Sequence, residues 1–343
     1  MMVMATATAR CKEEPLIERL PVVRGLYEEN AALGKRSWFR TGGNAEVLFQ
    51  PVDAEDLQSF LEEKPEDVDL NIFGFGSNLL VRDGGVAGVV ILLGKSFSRV
   101  EFDGELITAG ASALDVQVAR WAQQAGISKL EFLAGIPGTI GGAVRMNAGA
   151  YGSEIADVII NVTVFDQHGI AHVLDASQLE FGYRQSSLRD NWIVLSARMR
   201  GELGDREEIA GRMAAISTAR VDSQPRTRTG GSTFANPPGE KAWKLIDRAG
   251  CRGLRRGGAM VSEQHCNFLL NLGDATSCDL ELLGEEVRSR VLERTGVHLE
   301  WEICRIGNAR AHQQTPRVDS RQSAHHSDWS RPGGVVEKND VAS

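Results

Sequence analysis

Gly135-Ile136-Pro137-Gly138-Thr139-Ile140-Gly141-Gly142-Ala143 carries four glycines within eight residues, and this density restricts the fold more than any other stretch of the chain. Glycine loses more backbone entropy on ordering than any other residue and packs no side chain. Such clustering is therefore tolerated mainly where two backbones, or a backbone and a ligand, come close. A second run, Phe73-Gly74-Phe75-Gly76-Ser77-Asn78-Leu79-Leu80-Val81, follows a strand signal, and its N–H groups can approach an anion as phosphate-binding nests do. Both read as candidate diphosphate cradles, with tight packing the alternative for the first. Neither contains Gly-Lys-Ser/Thr, which disfavours ATP or GTP hydrolysis. A dinucleotide-binding GxGxxG should open a helix, whereas apolar residues and then the turn-forming Arg82-Asp83-Gly84-Gly85 follow here.

Short apolar runs punctuated by glycine read as strands: Val47-Leu48-Phe49, Asn71-Ile72-Phe73, Val89-Val90-Ile91-Leu92 and Glu105-Leu106-Ile107. Leu57, Phe60 and Leu61 give 53–63 a helical face. Ser112-Ala113-Leu114-Asp115 looks like a capping box opening a further helix, on which Leu114, Val118, Trp121, Ala122 and Ala125 share a face and Gly126 is the stop. Strand signals return at 158–165, 171–174 and 192–197, and Ile209, Met213 and Ile216 mark 205–220 as helical. The expected organisation is an N-terminal extension 1–35, a first domain 36–204 and a smaller domain 205–307. The smaller domain should hold helices at 241–249 and 277–294, the second weakened at Gly284 by about 1 kcal/mol relative to alanine. Residues 308–343 offer too little apolar surface to offset chain entropy and are expected to be a disordered tail.

At 343 residues, with 42% hydrophobic and 24% charged side chains, the chain has the balance of a soluble globular protein large enough for two domains. A net charge of -8 argues against a nucleic-acid partner. The longest apolar run, around Val86 to Leu93, is far short of the roughly 20 residues that span a bilayer, so no membrane insertion is expected. Residues 1–15 lack the apolar stretch of a secretory signal. Cys11, Cys251, Cys266, Cys278 and Cys304 are odd in number and show no CxxC spacing, which indicates neither a disulfide framework nor a metal site and fits a reducing cytoplasm.

Two strings carry candidate chemistry. Thr229-Gly230-Gly231-Ser232-Thr233-Phe234-Ala235-Asn236-Pro237 sets one hydroxyl on a glycine-stiffened loop that ends in an Asn-Pro turn. Ser232 is thus either a placed reactive group or a solvent-exposed turn serine. In Leu299-Glu300-Trp301-Glu302-Ile303, strand alternation points Glu302 away from Trp301 and Ile303, onto a face shared with Glu300. A cleft carboxyl and a solvent-facing one both stay open.

With Phe39-Arg40-Thr41-Gly42-Gly43, Phe181-Gly182-Tyr183-Arg184, Gly257-Gly258-Ala259 and Val261-Ser262-Glu263-Gln264-His265-Cys266-Asn267-Phe268, these strings in this order resemble the UDP-N-acetylenolpyruvoylglucosamine reductase family over about residues 36–307. The likeness is to the branch without an inserted tyrosine-bearing substrate loop. It implies an α+β chain, an FAD-binding domain of the vanillyl-alcohol-oxidase type followed by a smaller α+β substrate-binding domain. Gly74, Gly76, Ser77 and Asn78, with Pro137, Gly138, Thr139, Gly141 and Gly142, match the family's flavin-contacting loops. The implied reaction uses NADPH to reduce FAD and a sugar nucleotide, UDP-N-acetylglucosamine enolpyruvate, as acceptor, making UDP-N-acetylmuramate for peptidoglycan. Ser232 matches the family's proton donor, and Arg184 and Glu302 match its remaining catalytic pair. A guanidinium stays charged and meets a carboxylate or enolate with a fork of donors, while a desolvated carboxyl can donate a hydrogen bond to an enol. Tyr183, Asn236, Gln264 and His265 are candidate substrate contacts, although His265 by itself reads as a structural histidine. Asn44 stands where covalent-flavin relatives commonly carry histidine, implying a dissociable FAD. Three positions depart from the family pattern: Ala235 and Gln264, where lysine is common, and Trp301, where proline is frequent. An FAD-dependent oxidase of the same superfamily and a nucleotide-binding module without turnover are the competing readings.

Overall fold

The structure, a computed structural model, describes residues 14–310, so the expected extension is seen from residue 14 and the expected tail only to residue 310, the rest lying outside the described residues. The chain forms two α+β lobes. The first begins with β1 (Leu26–Ala32), β2 (Asn44–Gln50), α1 (Ala54–Glu63), β3 (Leu70–Ile72), β4 (Leu79–Val81) and β5 (Val86–Ile91). Its sheet has the order β1-β2-β5-β3, with β1 antiparallel to β2, and β2 and β3 both parallel to β5. Val89, Val90 and Ile91 are fully buried, as befits a strand between parallel neighbours. Asp53 caps α1 by accepting from Asp56 N–H at 2.9 Å, and Leu57, Phe60 and Leu61 pack on Val47, Phe49 and Ile91. β1 lies inside the expected N-terminal extension, paired from Leu26↔Gln50 to Ala32↔Asn44. Its half-polar sequence lacks the apolar run that marks an inner strand, because it is an edge.

The second half of this lobe comprises β6 (Val100–Asp103), β7 (Leu106–Gly110), α2 (Asp115–Ala125), α3 (Ile140–Arg145), β8 (Ile159–Phe165), β9 (Ala171–Asp175), β10 (Ile193–Arg200) and α4 (Arg206–Ser223). An antiparallel sheet, β9-β8-β10-β7-β6, shares a core with α2 and α3. The expected capping box of α2 does not form: Ser112 Oγ donates to Gly94 O at 2.7 Å, and the helix starts only at Asp115. Its buried face is Asp115, Val118, Ala119 and Ala122, with Ala125 exposed. Gly126 ends it at φ 73°, a left-handed cap that glycine adopts without strain. α4 packs on α2 and on the 3-10 turn Glu131–Gly135, where Arg212 pairs with Glu131 at 2.7 Å. The expected domain change at residue 204 therefore precedes a helix that covers the first lobe. Ile209 is the only fully buried residue of α4, too thin an apolar stripe to show from sequence which lobe it serves.

The second lobe comprises β11 (Thr229–Ser232), α5 (Ala242–Arg248), β12 (Arg255–Arg256), β13 (Ala259–Val261), β14 (Phe268–Asn271) and α6 (Ser277–Thr295), and the chain then returns as β15 (Cys304–Ile306). An antiparallel sheet in the order β11-β14-β13-β12 is covered by α5 and α6 through Leu245, Ile246, Leu280, Leu283 and Val287. Polar contacts stitch the lobes. The Asp83 carboxylate accepts from Ser277 and Cys278 N–H at 3.1 and 2.9 Å, capping α6 from the first lobe. Asn271 Nδ2 donates to Phe39 O at 2.7 Å, and β15 pairs in parallel with β4. Among the described residues no helix is long and apolar enough to cross a membrane.

Candidate active site

A cavity of about 500 Å³ opens between the lobes, a volume suited to a cofactor or substrate. Its lining includes Gly74, Gly76, Ser77 and Asn78 from the first glycine loop, Pro137, Gly138, Thr139, Gly141 and Gly142 from the second, and Ser232, Arg184 and Glu302. The glycines differ in kind. A Cβ on Gly141 would lie 3.0 Å from Ala111 Cβ, so packing alone excludes a larger residue without adjustment. A Cβ on Gly142 or Gly74 would meet nothing nearer than Thr139 Oγ1, at 3.9 and 3.6 Å, and both residues are exposed to the cavity. There a side chain would fill space in front of bare backbone. An elongated, anionic dinucleotide such as FAD fits this lining of glycine backbone and the Ser77 and Thr139 hydroxyls.

Asn78 links the first glycine loop to the segment that carries Glu302. Its Nδ2 donates to Glu302 O at 3.0 Å and its carbonyl accepts from Cys304 N–H at 3.0 Å. The segment carrying Glu302 is held from its other side by Glu302 N–H to Thr233 O at 2.9 Å. Trp301 forms a bridge with Phe234 and lies over α6, where a Cβ on Gly284 would run into the indole. The helix-weakening glycine is thus the seat of an aromatic ring. Trp301 Nε1 donates to Glu285 at 2.7 Å, and the Arg305 guanidinium stacks 4.6 Å from the ring centre.

Ser232 ends β11 and is partly exposed to the cavity. Gly230 is needed because a Cβ would strike the Phe39 ring, and Gly231 takes φ 82°, a left-handed turn of the chain just before the hydroxyl. Beyond it, Asn267 locks the strand by accepting from Phe234 N–H at 3.0 Å and donating to Phe234 O at 2.8 Å.

Arg184 stands in a tight turn closed by Gly182 and Gln185, which exchange backbone hydrogen bonds at 3.0 and 3.3 Å. Its φ of 56° lies in the left-handed region, which costs an L side chain about 1–2 kcal/mol. Surrounding bonds hold it there: Nε to Glu302 Oε1 at 3.0 Å, Nη2 to Gly149 O at 2.9 Å, and the buried Asn147 donating to Gly182 O at 3.0 Å. Glu302 exposes 13% of its side chain, and burial pushes its carboxyl above the usual range despite the opposing pull of Arg184. Glu300 faces solvent beside His298, 2.8 Å away. The two glutamates do not share a face, because only Trp301 of this segment forms a bridge and regular alternation does not hold.

The expected substrate contacts lie outside the cavity lining. Tyr183 is 52% exposed, beneath the Arg184 guanidinium, and its hydroxyl accepts from Asn236 N–H at 3.4 Å. Gln264 donates to Asp222 O at 3.1 Å, tying its loop to the end of α4. His265 packs edge-on against Phe268 and accepts from Asn267 N–H at 3.3 Å, and burial holds its imidazole below the usual range. Asn44, also away from the lining, donates to Asn30 at 2.9 Å. Two further lining residues matter that the sequence does not mark as site residues, one of them read only as part of a helix cap. Arg220 sits near the end of α4, where burial lowers its guanidinium below the ordinary range. It forms no ion pair among the described residues and donates to Gln224 Oε1 at 3.3 Å. Asp115 is the other.

Two α+β lobes closing on a glycine-lined cavity that also holds a hydroxyl, a guanidinium and a carboxyl define an FAD-dependent oxidoreductase. Residues 45–175 match the FAD binding domain family, and residues 224–306, beginning where α4 ends, match the family described as UDP-N-acetylenolpyruvoylglucosamine reductase, C-terminal domain. The UDP-N-acetylenolpyruvoylglucosamine reductase of Parvibaculum lavamentivorans is 56% identical over 89% of this chain and 97% of its own length. That of Paramagnetospirillum magneticum is 55% identical over 88% of this chain and 98% of its own. The crystal structure of the Thermus caldophilus UDP-N-acetylenolpyruvylglucosamine reductase superposes with a TM-score of 0.72 at 37% identity, covering 83% of this chain and all of that one. The chain belongs to the UDP-N-acetylenolpyruvoylglucosamine reductase family.

Proposed function

We infer that this chain reduces UDP-N-acetylglucosamine enolpyruvate to UDP-N-acetylmuramate, with NADPH as electron donor and a dissociable FAD as carrier. The observation that carries it is the convergence of Ser232, Arg184 and Glu302, remote in sequence, on the cavity that both glycine loops line. Bound FAD supplies hydride transfer, taken from NADPH and given to the methylene carbon of the enolpyruvyl ether. Negative charge then gathers beside the substrate carboxylate. Arg184 stabilises it with a preorganised fork of donors. Ser232 delivers the proton to the carbon alpha to that carboxylate. Glu302, whose burial favours its protonated form, donates a hydrogen bond to the enol. Arg220 adds a cation without a carboxylate partner, suited to the anionic groups of a sugar nucleotide. Free Cys251, Cys266, Cys278 and Cys304 fit a reducing cytoplasm, where peptidoglycan precursors are made.

Anaerobic addition of NADPH and then substrate, followed by visible absorbance, separates the two half-reactions. In Ser232→Ala, bleaching by NADPH is expected to persist while reoxidation by substrate slows at least ~100-fold, the lower end for general acid catalysis. Equal damage to both half-reactions, or to neither, removes Ser232 from this role. Rapid reoxidation by air with no response to the enolpyruvyl ether marks an oxidase instead, and bound FAD that NADPH never bleaches marks a module without turnover.

A further inference from the structure

Asp115 opens α2 fully buried, and neither of its carboxyl oxygens has a hydrogen-bond partner among the described residues. A buried carboxylate without a donor or cation is unstable, so such a group keeps its proton or meets a ligand. Its surroundings point to both. Asp115 lines the cavity, and its N–H donates to Gly138 O at 3.1 Å. A Cβ on Gly138 would lie 2.8 Å from Asp115 Oδ2 and 3.9 Å from Ser77 Oγ, so the carboxyl sits where the two glycine loops converge. The elements around it present no charge to it. Residues 73–81, 106–110 and 135–144 carry none, Arg145 at the end of α3 donates instead to the Leu188, Arg189 and Trp192 carbonyls, and Arg120 on α2 is exposed. Glu131 on the adjacent 3-10 turn is held by Arg212, and Arg206 lies at the far end of α2 beside Gly126. Burial alone drives the carboxyl well above the usual carboxylate range, outweighing the preference of a helix N-terminus for an anion.

We propose, on the flavoprotein reading above, that Asp115 holds the cofactor's diphosphate as a neutral carboxylic acid, its O–H donating to a phosphate oxygen between the two loops. Ionised, the same side chain would repel the diphosphate. FAD therefore binds the protonated form, and its affinity is full at low pH and lost as pH rises through the pKa of Asp115 in the FAD-free protein.

The test is FAD binding by the full-length chain stripped of flavin, read by fluorescence quenching from about pH 6 to pH 9, where the diphosphate does not titrate. Neither NADPH nor sugar nucleotide is needed. Wild-type affinity is expected to weaken at least ~10-fold toward alkaline pH, while Asp115→Asn, an uncharged donor, stays within about threefold of wild type at the acidic end and shows no alkaline loss. Asp115→Ala, which has no donor, is expected to bind at least ~10-fold more weakly throughout. Should that variant fail to fold by thermal melt, the wild-type and asparagine profiles still decide. A wild-type profile that is flat or rises with pH overturns the proposal, as does an asparagine variant as weak as the alanine one. Either result leaves the reductase reading standing, whereas a wild-type chain that takes up no FAD overturns both.

Discussion

The glycine loops and the catalytic face of the cavity are built on opposite plans. The loops present backbone, and what matters at Gly74 and Gly142 is a Cβ that is not there. The catalytic face presents side chains, each held by a second contact: Arg184 by Gly149 O, and the backbone around Glu302 by Thr233 O and Asn78. The loops are therefore vulnerable to an added methyl group, and the catalytic face to a deleted bond. On the proposed function, the first kind of damage is expected to fall on cofactor affinity and the second on turnover.

The largest effect is expected at Arg184→Ala. It removes the proposed transition-state cation and strips the buried Glu302 of its hydrogen-bond partner, so reoxidation of reduced flavin by substrate should slow roughly 10²–10³-fold. FAD affinity and the rate of reduction by NADPH should stay near wild type, as stopped-flow absorbance would show. A comparable loss of FAD affinity would erase the division between the two faces. Next in size is a contrast between neighbours. Gly142→Ala should weaken FAD binding at least ~10-fold, about 1.4 kcal/mol, while leaving the FAD-free protein's melting temperature unchanged or higher, because alanine favours α3. Gly141→Ala should lower that melting temperature through overpacking against Ala111, by about 1–3 kcal/mol of stability. If both variants act through the fold, the cradle is a packing motif only.

The same division governs what the sequence reveals. A glycine loop is legible because missing side chains are a local pattern, and Val89-Val90-Ile91 is legible because a strand buried on both faces is apolar throughout. Capping rules point to Ser112 as the start of α2, but its hydroxyl bonds Gly94 O instead, across a turn that no such rule anticipates. Glu302 and Glu300 were indistinguishable by alternation, and what separates them is the Trp301 bridge and the Arg184 guanidinium, contacts from other parts of the chain. That Asp115 and Arg220 belong to the cavity is illegible in sequence for a related reason. Their significance lies in burial without a charged partner, and that depends on Gly138, Ser77 and the course of α4 rather than on neighbours in sequence.

The smallest expected effect tests how the catalytic face is supported. Gly284 loses about 1 kcal/mol of helix propensity relative to alanine, yet the Trp301 indole occupies the place of its Cβ. Gly284→Ala alone should therefore destabilise the protein by up to about 2 kcal/mol, the overpacking penalty less the propensity gain. In a Trp301→Ala background the clash is gone, and the same change should stabilise by up to about 1 kcal/mol. The two substitutions should thus couple by about 1–3 kcal/mol, the overpacking penalty itself, in a urea-denaturation double-mutant cycle. Because Trp301 immediately precedes Glu302 and is tied to Glu285 and Arg305, displacing the indole should also slow turnover several-fold with FAD affinity unchanged. A Gly284→Ala effect of the same sign and size in both backgrounds would mean that the ring does not account for the glycine, and that the Glu302 backbone is held by Thr233 and Asn78 without help from the ring.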